Sequence, residues 1–218
     1  YHSYKVDSLN VVSNVLSIVE PYKLSLDSSM NVVIGLNSET INKSRPDGKL
    51  NHLLSDMLMQ YLSRKGIKTD MCLLNNGGIR LPNLAIGEIS KSKIYELMPF
   101  DNELVVLKIK GDLLMEALSW SVKSGGDPVS GVKIYYKKQE LIKAEIGGKE
   151  IDKESYYLLV TSDFVANGGD KYFMLQQAER ISIPFILLRD VYIEEISLLF
   201  SEGKPVVARE EKNYVELN

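Results

Sequence analysis

Apolar positions recur along this chain with two periods. From residue 8 to about 30 they fall at helical spacing, at Leu9, Val12, Leu16 and Val19 and then Leu24 and Leu26, with Pro21 placed to kink or divide the stretch. Asn31 to Leu36 is short, rich in β-branched residues and broken by Gly35 near its end, which predicts a buried strand. Asn37 to Gly48 is polar, carries Pro46 and predicts a loop. From Leu50 to Lys65 the positions Leu50, Leu53, Leu54, Met57, Leu58 and Leu62 form one stripe, the mark of a helix packed on a core, with Gly66 as its stop.

Further on, Met71 to Leu74 predicts a second buried strand, Ser90 to Glu96 a short helix ending before Pro99, and Glu103 to Lys110 an alternating strand. Gly111 leads from that strand into a helix over Asp112 to Val122, on which Trp120 is read as a packing residue. Val129 to Lys137 and Lys143 to Ile146 read as strands of a meander with Gly147-Gly148 as a turn, and Tyr156 to Thr161 as another strand. Tyr135-Tyr136 and Tyr156-Tyr157 would give these strands one wet face. Arg189 to Phe200 predicts a late helix and Tyr214 to Leu217 a terminal strand. Strands and helices are mixed and hairpins fall in the middle, which predicts an α/β (α+β) fold, one domain over 1–218 with a mixed central sheet flanked by helices.

Composition narrows the function classes. The 218 residues are 44% hydrophobic and 25% charged with a net charge of −3, so no global basic field would gather nucleic acid. The longest apolar runs, such as Ile183 to Leu188, fall far short of a membrane span. Cys72, the one cysteine, lies in the apolar run Met71-Cys72-Leu73-Leu74 and is expected to be a buried, inert thiol.

Chemistry concentrates at three corners. Asn75-Asn76-Gly77-Gly78-Ile79-Arg80 follows one buried strand, and Phe164 to Asp170, with Gly168-Gly169, follows another. Glycine pairs there permit positive φ and let a ligand approach the backbone. The first corner delivers Arg80, whose planar fork suits phosphate or carboxylate; the second delivers an aromatic face and the Asp170 carboxylate. The third, Met98-Pro99-Phe100-Asp101-Asn102, adds another aromatic and a carboxamide. Two aromatics can sandwich a base at roughly 1–3 kcal/mol per stacked base. An aspartate accepts from ribose hydroxyls, and arginine neutralises phosphate. These are the parts needed to hold a nucleotide. Taken singly, each has a plainer explanation: Phe100 and Phe164 as core aromatics, Arg80 as a surface charge, Asp170 as a turn residue.

The three corners, in this order and at similar spacing, resemble the motifs of the 5'-nucleotidase C-terminal domain, a family that includes UDP-sugar hydrolases and 2',3'-cyclic phosphodiesterases. A looser match is Arg45-Pro46-Asp47-Gly48, similar to the arginine-led approach to that domain's first long helix. The resemblance covers about residues 30 to 200 and leaves 1–30 as a helical extension. It implies that Phe100 and Phe164 stack on the two faces of the base and that Asp170 binds the ribose hydroxyls. Arg80, with Arg45, would hold the phosphates or the ribose edge, and Asn75 and Asn102 would hydrogen-bond base or sugar. Asn76 and Lys171 depart from the pattern at positions where glycine is common. Lys171 would either add positive charge near the phosphates or crowd the pocket mouth.

Hydrolysis in the resembled family is metal-assisted, and its Asp, His and Asn ligands belong to a separate N-terminal domain. This chain has two histidines, His2 near the terminus and His52 among leucines, and no Asp-x-His or Gly-Asn-His-Glu segment. The expectation is therefore a substrate-recognition part, inactive by itself, whose cofactors (divalent metals such as Zn or Mn) lie in a metallophosphoesterase domain or separate chain. A nucleoside-binding protein without catalysis is the alternative, and a degenerate structural domain a third reading. The resemblance also implies a periplasmic, envelope or secreted location.

Overall fold

The structure, a computed structural model, describes residue 19 and residues 28–218. Most of the helical spacing read over residues 8 to 30 therefore lies outside the described residues.

The chain opens with β1 (Val33–Asn37) and the two-residue β2 (Ile41–Asn42), the latter inside the segment expected to be all loop. Helix α1 (Lys49–Arg64) buries the leucine stripe. It stops as expected: Gly66 takes φ +78, and Ile67 N donates back to Leu62 O. Next come β3 (Met71–Leu73), the short strands β4 (Asn83–Leu84) and β5 (Gly87–Ser90), and α2 (Lys91–Leu97), capped by the Ser90 hydroxyl accepting from Lys93 N. The middle holds β6 (Leu104–Lys110), α3 (Gly111–Lys123), β7 (Val129–Ser130), β8 (Val132–Lys137), β9 (Glu140–Ile146) and β10 (Lys149–Glu150). The chain closes with β11 (Tyr156–Ser162), the single turn α4 (Asp163–Ala166), β12 (Glu179–Ile181), α5 (Leu188–Ser201) and β13 (Tyr214–Glu216).

A five-stranded sheet in the order β12-β6-β11-β3-β7 forms the centre. It is mixed: β11 runs parallel to β3 and antiparallel to β6. Alternation along its strands feeds two cores. Val106, Val160 and Cys72 face one side with α1, α2 and α5, while Val105, Leu107, Leu159 and Leu73 face the other with α3. A second sheet, β10-β9-β8-β13, covers α3 on that other side, with Ile134, Ala144 and Tyr214 in the same core. The expected mixed sheet flanked by helices is present.

Two local expectations change. Val129 to Lys137 is two strands rather than one. At Gly131, with φ +77, a Cβ would stand 2.3 Å from Asp70 O, so the chain turns out of the central sheet and enters the second one. Glu179–Ile181, unread in the sequence, is the edge strand beside β6.

Parallel pairing of β11 with β3 makes their C-terminal ends adjacent, and each ends in a glycine-bearing corner. β6 lies antiparallel beside β11, so its start, which follows the Pro99 corner, sits at that same edge. Topology alone therefore gathers segments some 20 to 90 residues apart in the sequence.

Candidate functional site

The first corner leaves β3 and forms a 3₁₀ turn over Asn76–Gly78. Its backbone is held from below by the Asp127 carboxylate, which accepts from Asn76 N at 2.8 Å. Lys43 Nζ clamps both ends, donating to Asn76 O at 2.9 Å and Ile79 O at 2.7 Å. Arg80 N donates to Leu97 O at 2.9 Å, tying this corner to the end of α2.

The Pro99 corner is organised by Arg189 of α5, which is buried. Its guanidinium donates to Met98 O and Phe100 O at 3.4 Å, pairs with Asp101 at 2.5 Å and stacks 4.1 Å from the Tyr95 ring centre. Leu188 N donates to Asn102 O at 2.9 Å. Phe100 is thereby presented from a fixed backbone and is 45% exposed as a residue.

The third corner begins at Ser162, whose hydroxyl caps α4 by accepting from Val165 N. Gly168 takes φ +88, and both Asp170 (φ +51) and Lys171 (φ +69) are left-handed. Glycine adopts such angles freely, whereas lysine there costs about 1 kcal/mol, which explains in physical terms why a glycine suits position 171. Gly169 is needed for another reason: a Cβ would lie 2.4 Å from the Phe164 ring. The Asp170 carbonyl accepts from Trp120 Nε1 at 2.8 Å, and Lys171 Nζ lies 5.3 Å from the same indole. Lys171 Nζ thus lies over Trp120, and Lys171 is not among the residues that line the cavity. Trp120 packs, as expected, and also holds the corner by its N–H.

Asn75, Arg80, Phe100, Asn102, Phe164 and Asp170 line one cavity of about 240 Å³, together with Gly77 and Gly78. Asn75 Nδ2 donates to Asp170 Oδ2 at 2.7 Å. Phe164 is 42% exposed, so both phenylalanines leave ring surface uncovered, which core aromatics do not. The Arg80 guanidinium lies 5.4 Å from the Phe100 ring centre. The cavity has the scale of one ring system with part of a sugar, below the roughly 300–1,000 Å³ of pockets for drug-sized ligands.

Arg45 is the exception among the seven candidates. It lies in a neighbouring groove and is spoken for: its guanidinium donates to Ser124 O and pairs with Asp127 at 3.4 Å. Asp127, 4% exposed, is a hub that sequence reading missed. Besides Asn76 N and Arg45, it accepts from Ser124 Oγ at 3.1 Å and Tyr172 OH at 2.6 Å. Burial, and then Asp127 beside it, push the Tyr172 phenol well above its ordinary pKa, so the phenol remains a donor. No local pattern marks Asp127, because its partners come from four separate segments.

The donor set does not fit a dinuclear metal centre. Among the described residues no group of three or more His, Cys, Asp or Glu is placed to hold an ion. His52 is buried and committed to Asp47 Oδ1 at 2.9 Å and Arg209 O at 3.3 Å. Cys72 is fully buried, and desolvation raises its thiol pKa further, away from nucleophilic use. No helix among the described residues is long and apolar enough to cross a membrane.

The family described as 5'-nucleotidase, C-terminal domain, matches residues 30–177. The cell wall protein Lmo0130 of Listeria monocytogenes is 25% identical over 96% of this chain and 30% of its own length. The snake venom 5'-nucleotidase of Crotalus adamanteus is 30% identical over 49% of this chain and 22% of its own. The crystal structure of a 5'-nucleotidase precursor from Thermus thermophilus superposes with a TM-score of 0.78 at 25% identity, covering 96% of this chain and 43% of that one. The chain thus spans less than half the length of these relatives.

Proposed function

Because this chain belongs to the 5'-nucleotidase C-terminal domain family, we propose that it is the nucleotide-recognising part of a phosphohydrolase, working with a metal-bearing domain that these 218 residues do not contain. One observation carries the proposal: two exposed phenylalanines, a carboxylate and a guanidinium from three distant segments line a single cavity.

Phe100 and Phe164 stack on the base, and stacking of this kind contributes about 1–3 kcal/mol per base. Asp170 accepts from the ribose hydroxyls; Asn75 already occupies one of its oxygens and leaves the other open. Asn75 and Asn102 bond the base or sugar edge. Arg80, at the rim, meets the phosphate by charge-assisted hydrogen bonds. Arg45 acts on the phosphate side from the adjoining groove while anchored to Asp127. The site binds and orients, and the divalent metal in the partner domain supplies hydrolysis. With that domain the proposal carries an extracellular or envelope location, in keeping with a relative named a cell wall protein.

Calorimetry of the chain against adenosine, AMP, UMP and UDP-glucose tests the proposal. Binding that Phe164→Ala weakens by about fivefold or more is expected. No binding even at millimolar ligand, or binding indifferent to that substitution, would sink it.

A further inference from the structure

Four non-glycine residues take a positive φ among the described residues, and they form two consecutive pairs. Lys138 (φ +47) and Gln139 (φ +64) are the two-residue link between β8 and β9, where a hairpin demands such angles. Asp170 (φ +51) and Lys171 (φ +69) link no hairpin. They stand in the third corner, and the first of them carries a carboxylate that lines the cavity. Left-handed backbone is unfavourable at residues with a Cβ, so a pair of them persists only where the surroundings hold it. Strain held beneath a ligand-facing carboxylate is a device of pre-organisation.

One side chain touches both members of the pair. Trp120 lies in the last turn of α3, 50 residues before Asp170. Its Nε1–H donates to Asp170 O at 2.8 Å, and the Lys171 ammonium stands 5.3 Å from its ring centre, within the range of a cation–π contact. From the opposite corner Asn75 Nδ2 donates to Asp170 Oδ2. Asp170 is thus fixed at two points, through its main chain by the indole and through its side chain by the amide. Relaxing φ to an ordinary negative value would turn the Cα–Cβ bond and carry the free carboxylate oxygen away from the cavity. We propose that Trp120 is a positioning residue: its indole N–H holds Asp170 in the left-handed conformation that aims the carboxylate at the ribose hydroxyls, and so sets the preference of the site for a nucleoside that carries them. This rests on the aromatic cavity being the nucleoside site. Trp120 is not among the residues that line that cavity, so it acts through Asp170.

The test is calorimetry with adenosine and 2',3'-dideoxyadenosine on the parent chain, Trp120→Phe, Asp170→Ala and the double variant. The two ligands share a base, so their affinity ratio reads the ribose hydroxyls. The parent should prefer adenosine by about tenfold or more, as hydrogen bonds to a charged group imply. Trp120→Phe keeps an aromatic ring beneath Lys171 and removes the N–H, and it should narrow the ratio by about fivefold, the loss of one neutral hydrogen bond. Asp170→Ala should bring the ratio close to one, and adding Trp120→Phe should narrow it no further. A parent that prefers adenosine, beside a folded Trp120→Phe variant with the same ratio, would overturn the proposal and leave the nucleoside reading standing. A parent that binds neither ligand would overturn both. Should Trp120→Phe fail to fold, the parent still decides. Trp120 is the one tryptophan of the sequence, so its indole N–H gives a single proton resonance. Adenosine should slow the deuterium exchange of that N–H more than dideoxyadenosine does at equal saturation, and equal exchange would overturn the proposal.

Discussion

Asn75 and Asp170, 95 residues apart in the chain, meet at 2.7 Å between Nδ2 and Oδ2 and join the two glycine corners into one wall of the cavity. The bond fixes which carboxylate oxygen remains for a ligand. Asn75→Ala should weaken adenosine binding by about tenfold to a hundredfold, as loss of a hydrogen bond to a charged group at roughly 1.5–3 kcal/mol implies. Asp170→Ala should weaken it more. Combining the two should cost clearly less than the sum, because the partners act as a unit. Calorimetry of the four proteins gives the cycle, and strict additivity would mean the pair does not cooperate in binding.

The phenylalanines give a second expectation. Phe100→Ala and Phe164→Ala should each weaken nucleoside binding by about 1–3 kcal/mol. Since each residue is more than 40% exposed, the thermal midpoint should barely move. Gly169→Ala should imitate Phe164→Ala by forcing the ring aside, although it adds only a methyl group. A large drop in stability from either phenylalanine substitution would reassign that ring to the core.

Much of this site can be read from the sequence, for a physical reason. The corners carry their own conformational demands in glycines, and the strands before them are plain apolar runs, so local pattern reveals both. Six of the seven candidates line the cavity because parallel pairing of β11 with β3 brings the corners together. The supporting residues are another matter. Asp127, Arg189, Lys43 and the Trp120 N–H act across 33 to 91 residues of sequence, and nothing beside them marks that use. The break at Gly131 was hidden similarly: its reason is the closeness of the Asp70 carbonyl, a contact between segments.

Asp127 supplies a prediction about stability as well as binding. Asp127→Asn keeps the shape but sets an amide N–H against groups that donate, Asn76 N, Tyr172 OH and Ser124 Oγ. A loss of about 2 kcal/mol is expected, mostly from buried donors left without a charged acceptor. The Arg45 pair adds little to this, because that side chain is 44% exposed and screened. Tyr172→Phe, removing one donor, should cost about half as much. Urea unfolding midpoints measure both, and Asp127→Asn should also weaken AMP, because the Asn76 backbone is released. A stability equal to that of the parent would show that the hub is not needed to hold the corner.

Lys43 ties stability to pH with a definite sign. Burial first, and then Arg45 and Arg80, lower its pKa below the ordinary 10.5. For a base this means that the proton leaves earlier as pH rises, in a window below 10.5. In that window the unfolded chain binds the proton that folded Lys43 releases, so the unfolding free energy should gain slightly as pH rises through the depressed value, up to 10.5. Urea unfolding of the parent across this range, with Lys43→Arg as the control that lacks this contribution because a guanidinium stays charged throughout, measures the effect. A difference between the two proteins that does not change with pH up to 10.5 would show that Lys43 keeps its ordinary titration in the folded chain.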